Sequence, residues 1–216
     1  MLTATQNRQL RAPDAGALAE ENTARAAVYG LLSHLFAAPP ADELLQAIAE
    51  SPDLILGSES PLAVSWVALV AGVDQYGGAA AREQFSRLFV STAKPPVAVY
   101  GSSYTHGPAQ GNFLAELRAE LARRGFGSRS GGAEFEDHLS AVCDVMRMLI
   151  IEANDGDEDD SAFADQQAFF SGYLQPWVSR FVDALAAEAG TDSFYARVAA
   201  FASAFFVNET EYFDIA

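Results

Sequence analysis

The stretch Glu134–Leu149, EFEDHLSAVCDVMRML, decides the fold. Phe135, Leu139, Val142, Met146 and Leu149 step by four, three, four and three, which lays an apolar stripe along one side of a helix and turns that side to a core. At 100° per residue His138 lies about 60° from the stripe and Asp137 about 160°. The spacing therefore predicts a histidine bordering the core and an aspartate pointing well away from it. Glu134, Glu136 and Asp137 near a helix N-terminus are what unpaired N–H groups and the macrodipole favour. That accounts for the acids and leaves the histidine without a reason.

The same periodicity recurs on both sides. Val28, Leu31, Leu32, Leu35 and Phe36 mark a helix over Leu18–Phe36, stopped by Pro39 and Pro40. Asp42–Glu50, Leu62–Tyr76, Ala79–Val90 and Asn112–Arg124 read as further helices. Downstream, Phe170, Leu174, Trp177, Phe181 and Leu185 form a stripe that Pro176 must kink or restart, since proline lacks an N–H and clashes with the preceding turn. Trp177 then sits at a bend, most simply as a core residue. Gly190 suits a helix stop, and Phe194, Val198, Phe201 and Phe205 carry a last amphipathic helix. No stretch alternates strongly enough to require a strand, and no repeat of solenoid length occurs. The expected architecture is all-α: one multi-helix domain over residues 18–216, behind a loose polar tail at 1–17.

The helical pattern breaks at STAKPPVAVYGSSYTHGP, Ser91–Pro108. An irregular connection this long inside a compact domain is commonly functional, and its valines and tyrosines carry apolar area that prefers to be covered. It is expected to line a binding groove, separating two helical halves.

The chain of 216 residues has 29 Asp and Glu against 13 Lys and Arg, a formal net charge of −16. Such a field repels nucleic acid and anionic membrane and favours basic partners. Seven of the acids lie between Glu152 and Asp165, a segment expected to be a solvated acidic loop. Cys143 is the sole cysteine, so no internal disulfide forms, and its apolar setting suits a buried, inert thiol. There is no apolar run of signal-peptide or membrane-spanning type, which predicts a cytoplasmic protein.

Any chemistry at EFEDHL needs partners from the rest of the chain. A helical di-metal site needs paired Glu-x-x-His motifs; Glu134 and His138 are four apart, and neither His34 nor His106 has a Glu three residues before it. GSSYTHG lacks the spacing of a nucleophile elbow, and no phosphate-cradling glycine motif occurs. Asp137 beside His138 could do acid/base work only with a third partner brought from elsewhere, because adjacent helix residues do not face each other.

EFEDHL followed by an apolar helix, then YLQPWVSRF roughly 35 residues later, then FYARVAAFASAF, resembles the TorD/DmsD family of cytoplasmic chaperones for molybdoenzymes, the redox enzyme maturation proteins. That family is marked by Glu-x-x-Asp-His and His-Leu-x-Pro-Trp-x-x-x-Phe motifs, and VAVYGSSY is similar to its aromatic-Gly-Ser loop. The resemblance spans about Arg25 to Phe213. One departure stands out: the family's histidine before Leu-x-Pro-Trp is Tyr173 here.

The resemblance implies an all-helical chaperone without cofactor or catalysis. It would hold the twin-arginine leader of a molybdopterin oxidoreductase precursor until the cofactor is loaded. By this resemblance Asp137 and His138, with Glu134, recognise the leader together with Tyr100 and Tyr104. The chemistry of the residues agrees: arginines followed by an apolar run call for carboxylates beside an apolar groove, here Val99, Tyr100, Tyr104, Tyr173 and Trp177. Two other readings stand beside it, a helical protein binding the folded body of a partner enzyme and a small hydrolase using Asp137 and His138. Family members also exchange helices to dimerise, so either a monomer or a swapped dimer is expected, with a hinge at Asp155–Asp160.

Overall fold

The structure, a computed structural model, describes residues 15–51, 59–90, 94–105, 112–126, 136–155 and 160–214. Among these the chain forms eight α-helices: α1 Ala15–Ala37, α2 Asp42–Ala49, α3 Pro61–Phe89, α4 Phe113–Arg123, α5 Leu139–Asp155, α6 Asp160–Tyr173, α7 Val178–Ala189 and α8 Phe194–Asp214. A short 3-10 turn covers Gly101–Ser103. No strand occurs among the described residues; the one sheet-like element is an isolated antiparallel bridge between Tyr100 and His138. The expected all-α bundle is what forms.

Helix α1 lies against α5, while α8 lies against α3 and α7. The stripes read from the sequence form a shared core: Leu32, Phe36, Met146, Phe170, Leu174, Trp177, Phe181, Phe201 and Phe205 are all buried. Each such side chain contributes about 1.5 to 3 kcal/mol relative to exposure, which is why periodicity outweighs local propensity here. The helices that meet in it do so through aromatic edges, as in Phe36 against Phe181 at 5.2 Å and Trp66 against Phe201 at 5.2 Å.

Where α3 begins, the Ser60 side chain accepts the Ala63 N–H at 3.2 Å and Pro61 takes the first turn, as a proline can there. The helix then breaks at Gly77, with φ 72° and ψ 164°, a backbone conformation nearly confined to glycine. The two separate helices expected at 62–76 and 79–90 are thus the two arms of α3. Tyr76 donates to Asp192 on one side of the break, and Arg82 donates to Asp42 at 2.7 Å on the other. Helix α6 ends at Tyr173, a turn carries Pro176, and α7 begins at Val178.

Two expected boundaries change. The acidic segment 152–165 is not a loop throughout: α5 runs to Asp155 and α6 begins at Asp160. Phe163 packs against Tyr212 and Phe213 at 5.6 and 5.5 Å, and Gln166 is buried, so tertiary contacts on one side draw these acids into helix. Residues 156–159, where most of the hinge was expected, lie outside the described residues. So do residues 1–14 of the expected tail, and α1 begins at Ala15, inside the range assigned to it.

A charged clamp closes the bundle. The Arg25 guanidinium meets the Glu209 carboxylate through two bonds, 2.7 and 2.9 Å, with Tyr29 donating to Glu209 at 2.8 Å and Arg25 donating to Gln166 at 3.1 Å. Arg25 is 5% exposed and Glu209 0%. Burial and the adjacent Glu209 charge push the Tyr29 hydroxyl well above its ordinary pKa, so it stays a donor.

Candidate functional site

His138 comes first because the sequence left it unexplained. Helix α5 starts at Leu139, one residue after it, and the His138 Nδ1 accepts the backbone N–H of Ser140 at 3.2 Å. The Ser140 hydroxyl lies within hydrogen-bond distance of the same atom, at 2.7 Å. The imidazole is therefore the N-terminal cap of the central helix, filling a role more often taken by Ser or Asp. Placing Asp137 and His138 on the helix, as the stripe suggested, is corrected: Glu136–Asp137 form a turn and His138 pairs with Tyr100.

That pairing draws the irregular segment onto α5. Leu139 N–H donates to the Val99 carbonyl at 2.8 Å, and Gly101 N–H donates to the Asp137 carbonyl at 2.9 Å. The Tyr100 and His138 rings meet edge to face at 5.1 Å. Asp137 does not point away from the core; it is 1% exposed, and its Oδ2 accepts the Ser102 N–H at 2.8 Å. The expectation failed because the 100° rule applies only inside a helix, and Asp137 precedes one.

The 3-10 turn that follows reaches the other motif segment of the sequence, YLQPW. The Tyr104 ring stacks on Trp177 at 5.9 Å and 15°, while its hydroxyl donates to the Ala98 carbonyl at 2.8 Å. Trp177 donates from Nε1 to the Tyr173 carbonyl at 2.6 Å. Tyr173, in the place of the family's histidine, packs against Phe169 at 5.2 Å and Phe113 at 6.1 Å. Gly101 makes this approach possible: a Cβ there would stand 2.6 Å from Phe113 Cε1 and 2.9 Å from the Trp177 ring.

Val99, Tyr100, Tyr104, Asp137, His138, Tyr173 and Trp177 thus form one connected cluster. Their exposure divides them. Trp177, Asp137, His138 and Val99 are buried, whereas Tyr100, Tyr104 and Tyr173 are half-buried. Glu134 lies outside the described residues. Gly101 and Ser102 were legible only as part of the aromatic-Gly-Ser motif, without their roles, and Phe113 and Ser140 were not singled out. Ser140 left a local signal, a serine two residues beyond a histidine at a helix start.

Around the cluster, Arg118 pairs with Glu136 at 2.9 Å, and Arg123 and Arg124 both clasp Glu120. Glu136 is held below its ordinary pKa, by a backbone hydrogen bond first and by Arg118 second. Burial raises the Tyr104 hydroxyl against the opposing Ala98 bond, so the phenol stays neutral. Cys143 is fully buried, and burial pushes its thiol up. Among the described residues no group of three His, Cys, Asp or Glu could hold a metal ion, and no helix is long and apolar enough to cross a membrane.

An all-α bundle whose helix α5 is tied at its start to an aromatic loop defines a helical module. Residues 57–183, more than half of the chain and including every element of the cluster, match the family model of the nitrate reductase delta subunit. The chain belongs to this family of NarJ/TorD-type molybdoenzyme chaperones, in agreement with the resemblance to TorD/DmsD. Among curated proteins none matches it.

Proposed function

We propose that this chaperone acts in the cytoplasm by binding the twin-arginine leader of a molybdoenzyme precursor, holding it until cofactor insertion and folding are complete. The observation that carries the reading is a set of three half-buried tyrosines in one cluster: Tyr100 and Tyr104, held by backbone bonds and ring contacts in the loop tied to the start of α5, and Tyr173 at the end of α6. A rigid aromatic can cover the apolar run of a leader at low entropic cost. The net charge of −16 favours encounter with a cationic segment.

Magnitudes assign the parts. A surface carboxylate meeting an arginine is worth about 0 to 1 kcal/mol, and covering a leucine-sized side chain about 1.5 to 3. Apolar contact on the tyrosines dominates affinity, while the acids set orientation and rate of encounter. Calorimetric titration with a synthetic peptide, an Arg-Arg pair followed by about twelve apolar residues, is the test. Tyr100→Ala weakens binding by about tenfold or more under this reading. Equal affinity in wild type, Tyr100→Ala and Tyr173→Ala would remove the tyrosines from it.

A second reading, docking on the folded body of the partner enzyme, has one observation in its favour. Val64 and Val67 on the first arm of α3 are 61% and 62% exposed, neighbours on one helix face. Capture of leaderless enzyme as efficiently as the precursor would favour it.

A further inference from the structure

A carboxylate in an arginine-binding site is ordinarily read as the partner of the arginine. The surroundings of Asp137 assign it another task. Its side chain belongs to a residue 1% exposed, and one carboxylate oxygen is already engaged by the Ser102 N–H at 2.8 Å. The same residue's carbonyl receives the Gly101 N–H at 2.9 Å, so Asp137 holds two consecutive amides of the 3-10 turn. Two residues before Gly101, the Val99 carbonyl receives the Leu139 N–H at 2.8 Å. Tyr100 is thereby fastened on both sides.

The consequence runs on to the next tyrosine. Gly101 lies against Phe113 and Trp177 with no room for a Cβ, and three residues later Tyr104 stacks on that same Trp177. A shift of the 3-10 turn would move both rings. A bond from a backbone N–H to a side-chain oxygen is short and directional, and a site that excludes water strengthens it. An incoming guanidinium reaches this carboxylate only if the loop first lifts away from α5.

We propose that Asp137 is a positioning residue: its carboxylate latches the Gly101–Ser103 turn to the N-terminus of α5 and so sets Tyr100 and Tyr104 for the leader, without pairing with the leader's arginine. The proposal rests on the reading that these tyrosines bind the leader. What the latch requires is an acceptor oxygen at this point, not a negative charge.

Asparagine supplies the oxygen without the charge, so Asp137→Asn and Asp137→Ala separate the two roles. The probe is the same Arg-Arg peptide, titrated by calorimetry, and loop order is read from amide hydrogen exchange at Ser102. The latch predicts Asp137→Asn within about twofold of wild-type affinity and Asp137→Ala weaker by about tenfold. It also predicts Ser102 exchange faster by about tenfold in the alanine variant alone, with Met146 and Ile150 on α5 unchanged as a control for global unfolding. An asparagine variant as weak as alanine, with Ser102 still protected, would overturn the latch and make charge the reason for Asp137. If the wild type does not bind the peptide, the leader reading falls and exchange still decides the latch: Ser102 protection lost in Asp137→Ala supports it, and protection kept sinks it.

Discussion

Tyr104 lies flat on Trp177, ring centroids 5.9 Å apart and planes within 15°, so a loop ring and the turn between α6 and α7 form one stack. The two partners differ in burial, with Trp177 fully enclosed and Tyr104 half open. Trp177→Ala therefore acts on the fold before it acts on any ligand. The expected loss is about 3 to 5 kcal/mol, the range for emptying a large aromatic from a core. Urea denaturation measures it, and a loss below about 1 kcal/mol would mean that the indole is not the keystone the stack implies.

Gly101→Ala tests the close approach beside that stack. The new methyl would meet Phe113 Cε1 at 2.6 Å and the Trp177 ring at 2.9 Å, both held by their own packing. Overpacking of this kind costs about 1 to 3 kcal/mol. The stack should loosen as well, visible as a change in tryptophan fluorescence.

For His138, the cap predicts an asymmetry between two substitutions. His138→Ala leaves the Ser140 N–H without its acceptor and lowers stability by about 1 kcal/mol or more. His138→Asn restores an N-cap acceptor and recovers part of it, measured as the urea midpoint. Equal loss in both would assign the histidine's worth to its ring contact with Tyr100 instead.

Acid stability has a local source in Glu120. Its carboxyl is pulled down to about 2, first by hydrogen bonds from Arg123 and then by Arg124, against the opposing effect of burial. A carboxylate whose folded pKa lies below its unfolded one contributes stability above about pH 4.5, and the contribution fades as pH falls towards 2. Glu120→Gln should lower the urea midpoint at pH 7 and flatten its decline between pH 5 and about 3. Parallel curves for both proteins would refute the assignment.

The Arg25–Glu209 clamp predicts a large single-site effect. Glu209→Gln leaves a guanidinium buried without its counter-charge, at a cost of about 3 to 5 kcal/mol. Replacing both partners, Arg25→Met with Glu209→Leu, should cost much less than the sum of the two single changes. Thermal unfolding of the four proteins in the cycle reads the difference.

The helices were legible because burial follows the 3.6-residue period, and Pro176, Gly190 and the Pro39–Pro40 pair mark their ends in local chemistry. The start of α5 was not. Phe135 continues the stripe, but the helix begins only at Leu139, because the residues before it are spent on a bridge to Tyr100, nearly forty positions away in the chain. Nothing local announces that pairing. The same blindness misplaced Asp137, whose partner Ser102 belongs to another segment, and turned acids next to Phe163 and Gln166 into a loop. The cluster's membership could be read from aromatic and motif content, whereas its division into buried and half-buried members depends on tertiary packing between distant segments.

The break at Gly77 bears on how so slight a bundle is assembled. An unbroken rod of 29 residues would run about 43 Å and would have to follow one straight course past every neighbour. Jointed at Gly77, α3 offers two shorter levers. One lies along α8 through Trp66 and Phe201; the other turns Phe85 and Phe89 onto Tyr195 and Phe36. Each lever finds its own angle, and the joint absorbs the mismatch that a single shaft would have to carry as curvature.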